Sequence, residues 1–107
     1  MKTCLLFPGQ GAQYPGMGKD LHDSSTRVKE LFDLASKTTD IDARRLLFEG
    51  TEDELKQTNN TQIAVTLVNL SSAAVLADRG VEAAGCAGFS LGEYAALVQA
   101  GVLAPED

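Results

Sequence analysis

The stretch Ala83-Ala84-Gly85-Cys86-Ala87-Gly88-Phe89-Ser90-Leu91-Gly92-Glu93-Tyr94-Ala95-Ala96-Leu97-Val98-Gln99-Ala100 changes its periodicity part-way along. Residues 83–89 are small, apolar and broken by glycine, as in a strand that its neighbours crowd closely. From Leu91 onward Tyr94, Leu97 and Val98 recur at helical spacing, and Gly101 stands where a C-terminal cap belongs. Between the two lies Gly88-Phe89-Ser90-Leu91-Gly92, a G-x-S-x-G pattern. A serine on a sharp strand-to-helix turn sits in strained backbone with its Oγ thrust from the sheet edge, and flanking glycines keep side chains out of the neighbouring strand and helix. The helix that follows directs free N–H groups and the positive end of its dipole at the same point, where an oxyanion would form. Three fixed positions match by chance in about 3% of chains this long, with Gly near 7% and Ser taken as similar. The pattern alone therefore also fits a Gly-Ser-Gly turn without chemistry, and the strand before and helix after give it meaning.

Upstream, residues 4–7 (Cys-Leu-Leu-Phe) form a short apolar run closed by Pro8-Gly9, the pattern of a strand buried on both faces. Residues 9–18 hold Gly9, Gly11, Gly16 and Gly18 with Gln10, Gln13 and Pro15, and read as a loop whose backbone can approach a ligand closely. Ser24 or Ser25 is placed to cap a helix with Val28, Leu31, Phe32 and Ala35 on its apolar side. Ile41, Leu46 and Leu47 predict a short second helix ending near Gly50. Thr51 and Glu54 form a capping-box pattern for about one further turn, which Asn59-Asn60 should break. Residues 61–79 are apolar almost all round, the mark of a buried helix; Thr66, Asn69, Ser71 and Ser72 speak against a membrane span, and Gly80 is a C-terminal cap. Strand, helices, strand, helix is the order of an α/β domain with a parallel sheet.

At 107 residues with 44% hydrophobic content the chain suits one small domain with a real core. Its net charge of −6, with Arg44-Arg45 the only adjacent basic pair, excludes the concentrated basic face that nucleic acid needs. The same charge offers no general attraction to an anionic substrate, so local donors must supply it. Cys4 and Cys86 make neither a disulfide framework nor a metal motif, and read as buried reduced thiols of a cytoplasmic protein. One histidine and no close cysteine pair leave zinc without ligands. The apolar run at the start is too short for a signal peptide.

Two segments together are more specific than either alone. Leu6-Phe7-Pro8-Gly9-Gln10-Gly11-Ala12-Gln13 resembles the N-terminal signature of the acyltransferase family, which includes the malonyl transacylases of fatty acid synthesis and the acyltransferase domains of polyketide synthases. Gly88-Phe89-Ser90-Leu91-Gly92-Glu93-Tyr94 resembles that family's nucleophile motif, and the two occur in the family's order at about its spacing. The resemblance implies the N-terminal part of an α/β-hydrolase-like acyltransferase domain, with a parallel sheet and a strand–nucleophile elbow–helix unit. It implies that Ser90 takes malonyl from malonyl-CoA and passes it to acyl carrier protein by a ping-pong route through a serine ester. It assigns the oxyanion hole to Leu91 N–H and Gln10, with Gly9, Gly11, Gly88, Phe89 and Gly92 supporting loop and elbow. Gln13 then ties down the loop, and Glu93 stabilises a helix start instead of acting as an acid. No cofactor is implied beyond the CoA thioester, which is substrate.

Phe89 departs from the family, where histidine usually precedes the serine; an imidazole is lost there, but not the one that serves as base. Leu91 fits the malonyl-type pattern. His22, among Asp20, Asp23, Ser24 and Ser25, reads as a surface residue, so no base for Ser90 is evident within the chain. In the family the catalytic histidine, the arginine that pairs with the malonyl carboxylate and a ferredoxin-like subdomain all lie beyond the span matched here. Residues 1–107 are thus expected to be one incomplete portion of a domain, inactive alone, with the remainder of that domain as a partner. Two other readings stay open: a serine thioesterase or hydrolase of the α/β-hydrolase type, and a binding module without activity.

Overall fold

A computed structural model describes residues 3–9, 11, 13–81, 83–88 and 92–99. In chain order the elements are β1 (Thr3–Phe7), α1 (Lys19–Ser24), α2 (Thr26–Thr39), a π-helical turn (Arg45–Glu49), α3 (Glu52–Lys56), α4 (Thr58–Asp78), β2 (Ala83–Gly88) and α5 (Gly92–Gln99). β1 and β2 pair in parallel, with Leu5 opposite Cys86, Leu6 opposite Ala87 and Phe7 opposite Gly88. The parallel α/β order read from the sequence is the one observed, as a two-stranded sheet among the described residues.

The helix α4 organises the rest. It is apolar nearly all round, and α1, α2, α3 and α5 all pack against it. By length and composition it would suffice to cross a membrane; here Thr61, Ala64, Val65, Leu67, Ala74 and Val75 are buried within the protein. The main core lies on its α2 side, where Val28, Phe32, Leu47 and Leu55 are almost wholly removed from water. Each such side chain contributes about 1.5–3 kcal/mol relative to exposure.

Local chemistry sets the ends of these elements. Ser25 Oγ accepts from Val28 N–H at 3.3 Å and starts α2. Thr51 Oγ1 accepts from Glu54 N–H at 3.2 Å and starts α3. The second helix foreseen near Leu46 is a π-helical turn, and Gly50 N–H closes it on the Leu46 carbonyl at 3.1 Å. A Cβ on Gly50 would overlap that same carbonyl oxygen, so glycine is required. At the far end of α4, Gly80 (φ +84°) donates to Ala77 O and Val81 donates to Leu76 O, both at 3.0 Å, a Schellman closure. Gly80→Ala meets no obstruction there but must hold a left-handed backbone. It is expected to lower stability by about 1 kcal/mol, readable as a shifted urea midpoint.

Several expectations are corrected. Asn59 and Asn60 do not break a helix; the break is at Gln57 (ψ 131°), and both asparagines lie in the first turn of α4. The Asn60 side-chain amide donates to Glu54 O at 2.9 Å and Thr61 Oγ1 donates to Leu55 O, so these residues cap the end of α3. Among the described residues the sheet is covered on one face only: Phe7 is buried and Leu5 half-buried, while Cys4 is exposed and Leu6 is 75% exposed. Strand alternation explains it, since Cys4 and Leu6 lie opposite Gly85 and Ala87 on the face that carries no helix. Cys4 is accordingly an exposed thiol, and Cys86 is half-buried with its Sγ 3.3 Å from Ala96 O. Gly85 is not crowded, having nothing within 4 Å of where a Cβ would stand.

A further correction concerns His22, which is not solvated. Its side chain is 13% exposed and lies edge-on to the rings of Phe32 and Phe48, at 5.1 and 5.2 Å between centroids. Arg44 Nε–H donates to His22 Nε2 at 2.8 Å, which leaves the ring proton on Nδ1, 3.0 Å from Asp23 Oδ1. The remaining Arg44 donors reach Asp33 Oδ1 at 2.7 Å and Lys29 O at 3.3 Å. The hydrogen bond from His22 holds the Asp23 carboxyl below its ordinary value. A carboxyl depressed by folding adds stability above its unfolded pKa, and that stability is lost as pH falls through the folded value. His22→Phe keeps the ring packing and removes both bonds. It is expected to cost about 1 kcal/mol, to raise the Asp23 carboxyl toward its ordinary value in an NMR titration, and to flatten the acid limb of stability against pH.

Candidate functional site

The parallel register brings the C-terminal ends of β1 and β2 to one edge, with Phe7 opposite Gly88. Everything the sequence marked for chemistry follows one of those two ends. After β1 come Pro8 and Gly9, β2 ends at Gly88, and α5 begins at Gly92.

The two segments touch through backbone. Gly92, the first residue of α5, is buried. A Cβ built there would overlap the Phe7 carbonyl oxygen and stand 2.8 Å from the Phe7 carbonyl carbon and from the Pro8 carbonyl oxygen. The start of α5 thus presses on the end of β1 as closely as two main chains allow, which only glycine permits. Cys86 Sγ, 3.3 Å from Ala96 O, adds a contact between β2 and α5.

The loop after β1 is tied down at several points. The Asn69 side chain, buried in α4, donates from Nδ2 to Pro8 O at 3.0 Å. Gly11 N–H donates to Gln13 Oε1 at 2.8 Å, the loop-closing role foreseen for Gln13. Gly11 takes φ +106° with open space around it, so its glycine serves backbone conformation and not close packing. Gly16 N–H donates to Leu47 O at 2.7 Å, and Met17 is buried in the helical core. Beside β1 and the loop an open groove of about 280 Å³ runs along α4, lined by Leu5, Phe7, Tyr14, Val65, Asn69 and Leu76 among others. Its walls are mostly apolar, with Tyr14, Asn69 and Ser72 the polar side chains.

Of the residues singled out in the sequence, Gly9, Gly11, Gly88 and Gly92 are brought to this edge, Gly9 and Gly92 buried and Gly88 half-buried. Ser90, Gln10, Leu91 and Phe89 lie outside the described residues. Glu93 falls in the first turn of α5. Among the described residues no group of three or more His, Cys, Asp or Glu side chains is placed to hold a metal. The residue that sequence reasoning missed is Asn69. Its signal was an amide side chain in the middle of a helix apolar nearly all round, which calls for a hydrogen-bond partner somewhere in the fold.

Residues 4–107 match the acyl transferase domain family. The malonyl CoA-acyl carrier protein transacylase of Bacillus subtilis (strain 168) is 42% identical over 106 residues, which cover 99% of this chain and 33% of that protein. The crystal structure of a malonyl CoA-acyl carrier protein transacylase from Clostridium perfringens superposes with a TM-score of 0.93 at 40% identity, covering 99% of this chain and 34% of that one. A malonyl-transacylase in complex with a type II PKS acyl-carrier protein superposes with a TM-score of 0.92 at 36% identity, covering 99% of this chain and 35% of that one. The chain spans about a third of the length of the relatives it matches.

Proposed function

The chain belongs to the acyl transferase domain family, and on that premise we propose that it carries the nucleophile and oxyanion loop of a malonyl-CoA:acyl carrier protein transacylase. Ser90 is the nucleophile. Its Oγ attacks the malonyl thioester carbonyl as a base takes the hydroxyl proton, and the tetrahedral oxyanion is held by Leu91 N–H and Gln10. The C–S bond then breaks, CoA leaves as a thiol on receiving the proton, and a malonyl-serine ester remains. The phosphopantetheine thiol of acyl carrier protein repeats the sequence in reverse, breaking the ester and restoring Ser90.

The observation that carries this reading is the seating of Gly92 on the Phe7 and Pro8 carbonyls. It packs the last residue of the G-x-S-x-G motif on the residues just before Gln10, which supports a shared site for the two motifs, as acyl transfer with a two-part oxyanion hole requires. An elbow of the α/β-hydrolase kind across residues 88–92 accords with it. The base is supplied by the rest of the domain, because the chain's one histidine is engaged by Arg44 and Asp23 in the helical layer. Residues 1–107 are accordingly the N-terminal portion of that domain, and the remainder covers the face bearing Cys4 and Leu6. Two unpaired thiols fit a reducing cytoplasm.

The test is to expose the protein, expressed from its whole reading frame, to malonyl-CoA and weigh it intact. One malonyl group is expected on Ser90, discharged on adding phosphopantetheinylated acyl carrier protein. Rapid release of free malonate instead points to a hydrolase, and no adduct at all to a binding module.

A further inference from the structure

Asn69 is 6% exposed in the middle of an apolar helix, and its partner, the Pro8 carbonyl, lies sixty-one residues away in sequence on an otherwise exposed residue. The bond therefore joins the middle of α4 to the residue that follows β1. The pairing also fixes the amide's orientation, since a carbonyl acceptor calls for the NH₂ and not the oxygen. The same Pro8 carbonyl is one of the atoms against which Gly92 is seated. One peptide group is therefore held from α4 by Asn69 and pressed by the start of α5, and it leads through Gly9 into Gln10. Tying it to α4 fixes Pro8, two residues before Gln10, relative to Gly92 at the start of α5.

We infer that Asn69 is a positioning residue for acyl transfer: its side-chain amide holds Pro8 so that the Gln10 loop is set at the distance the oxyanion needs. The inference rests on Ser90 and Gln10 having the roles proposed above. It goes further in assigning a function to a residue of α4 that touches neither substrate nor reacting atom. Asn69 acts on the transition state and not on substrate capture, because a displaced oxyanion donor weakens binding of the charge only as it develops.

The experiment compares Asn69→Leu and Asn69→Asp with wild type in the protein expressed from its whole reading frame. Functional sites are counted by the burst of CoA thiol released on Ser90 acylation. For Asn69→Leu, kcat per functional site is expected to fall about 10- to 100-fold, with KM for malonyl-CoA within about two-fold and the melting temperature little changed. Asn69→Asp sets a carboxylate against the Pro8 carbonyl when ionised, yet donates an O–H when protonated. Its kcat relative to wild type is expected to recover as pH falls through that titration, which a packing role would not produce. Asn69→Leu with wild-type kcat per functional site overturns the inference. So does loss of the fold together with activity in both variants, which makes Asn69 structural. A wild-type protein that forms no ester on Ser90 sinks the reading of the site itself, and the role of Asn69 with it.

Discussion

Ser90→Ala in the protein expressed from its whole reading frame is expected to abolish the malonyl adduct and to reduce transfer to acyl carrier protein on the order of ten-thousand-fold or more. Covalent catalysis divides acyl exchange between two thiols into two steps that share one oxygen ester, and removing the oxygen removes both. Alanine keeps the Cβ and backbone of residue 90, so thermal stability should stay within about 0.5 kcal/mol of wild type. Loss of activity without loss of fold is the diagnostic combination. A thioester on Cys4, whose thiol is exposed within residues 1–107, has to be told apart from an ester on Ser90. Hydroxylamine at neutral pH removes a thioester from Cys4 and leaves a serine ester intact. An adduct that survives hydroxylamine in wild type and is missing from Ser90→Ala assigns the ester to this residue. One that persists in the alanine variant places the chemistry elsewhere and refutes the proposed mechanism.

How much of this was legible in the residues depends on whether the determinant is local. Ser25 and Thr51 cap their helices as their positions imply, and Gly80 closes α4 as expected, because each acts within a few residues of its partner. The parallel pairing of β1 and β2 followed from the alternation of strand and helix, a rule of connection needing no side-chain detail. The failures are long-range. α1 was missed because it is six residues long, starts at Gly18 without a side-chain cap and buries no residue fully, so no apolar stripe announces it. Missing α1 also misplaced His22, whose sequence neighbours are polar and whose spatial neighbours are Phe32, Phe48 and Arg44. Asn59-Asn60 was read by its intrinsic preference for turns, whereas Asn60 spends its amide on the end of α3. Strand β1 looked buried on both faces because sequence records what a strand requires of the whole domain, and the described residues cover one face. At the site, the glycines were legible as glycines. Which of them is needed for contact was not: Gly92 abuts main chain, Gly11 serves a positive φ, and Gly85 has free space.

That difference among glycines yields the largest structural effect expected of any single substitution here. Gly92→Ala adds one methyl group at a point where it overlaps the Phe7 carbonyl oxygen and stands 2.8 Å from the Phe7 carbonyl carbon and the Pro8 carbonyl oxygen. The obstacles are main-chain atoms of a paired strand, which cannot rotate away as a side-chain tip can. Either α5 lifts from β1 or the end of β1 pulls away from β2, and both separate packed surfaces. The cost is expected at the upper end of overpacking, about 3 kcal/mol, a large share of the roughly 5–15 kcal/mol that holds a domain folded. Gly85→Ala is the matched control on β2, since a Cβ there meets nothing within 4 Å; it should change stability by less than about 0.5 kcal/mol. Urea unfolding of the two variants beside wild type measures the contrast. Activity should separate them further. Any shift of α5 that relieves the clash should displace the proposed nucleophile, two residues before Gly92, and a displacement of about 1 Å is enough for on the order of a hundred-fold loss of rate. Gly92→Ala should therefore lose kcat even at temperatures where it remains folded, while Gly85→Ala keeps it. Equal stability and equal rates for the two variants would mean that α5 and β1 are not locked together at this point, and the physical link between the nucleophile corner and the oxyanion loop would be gone.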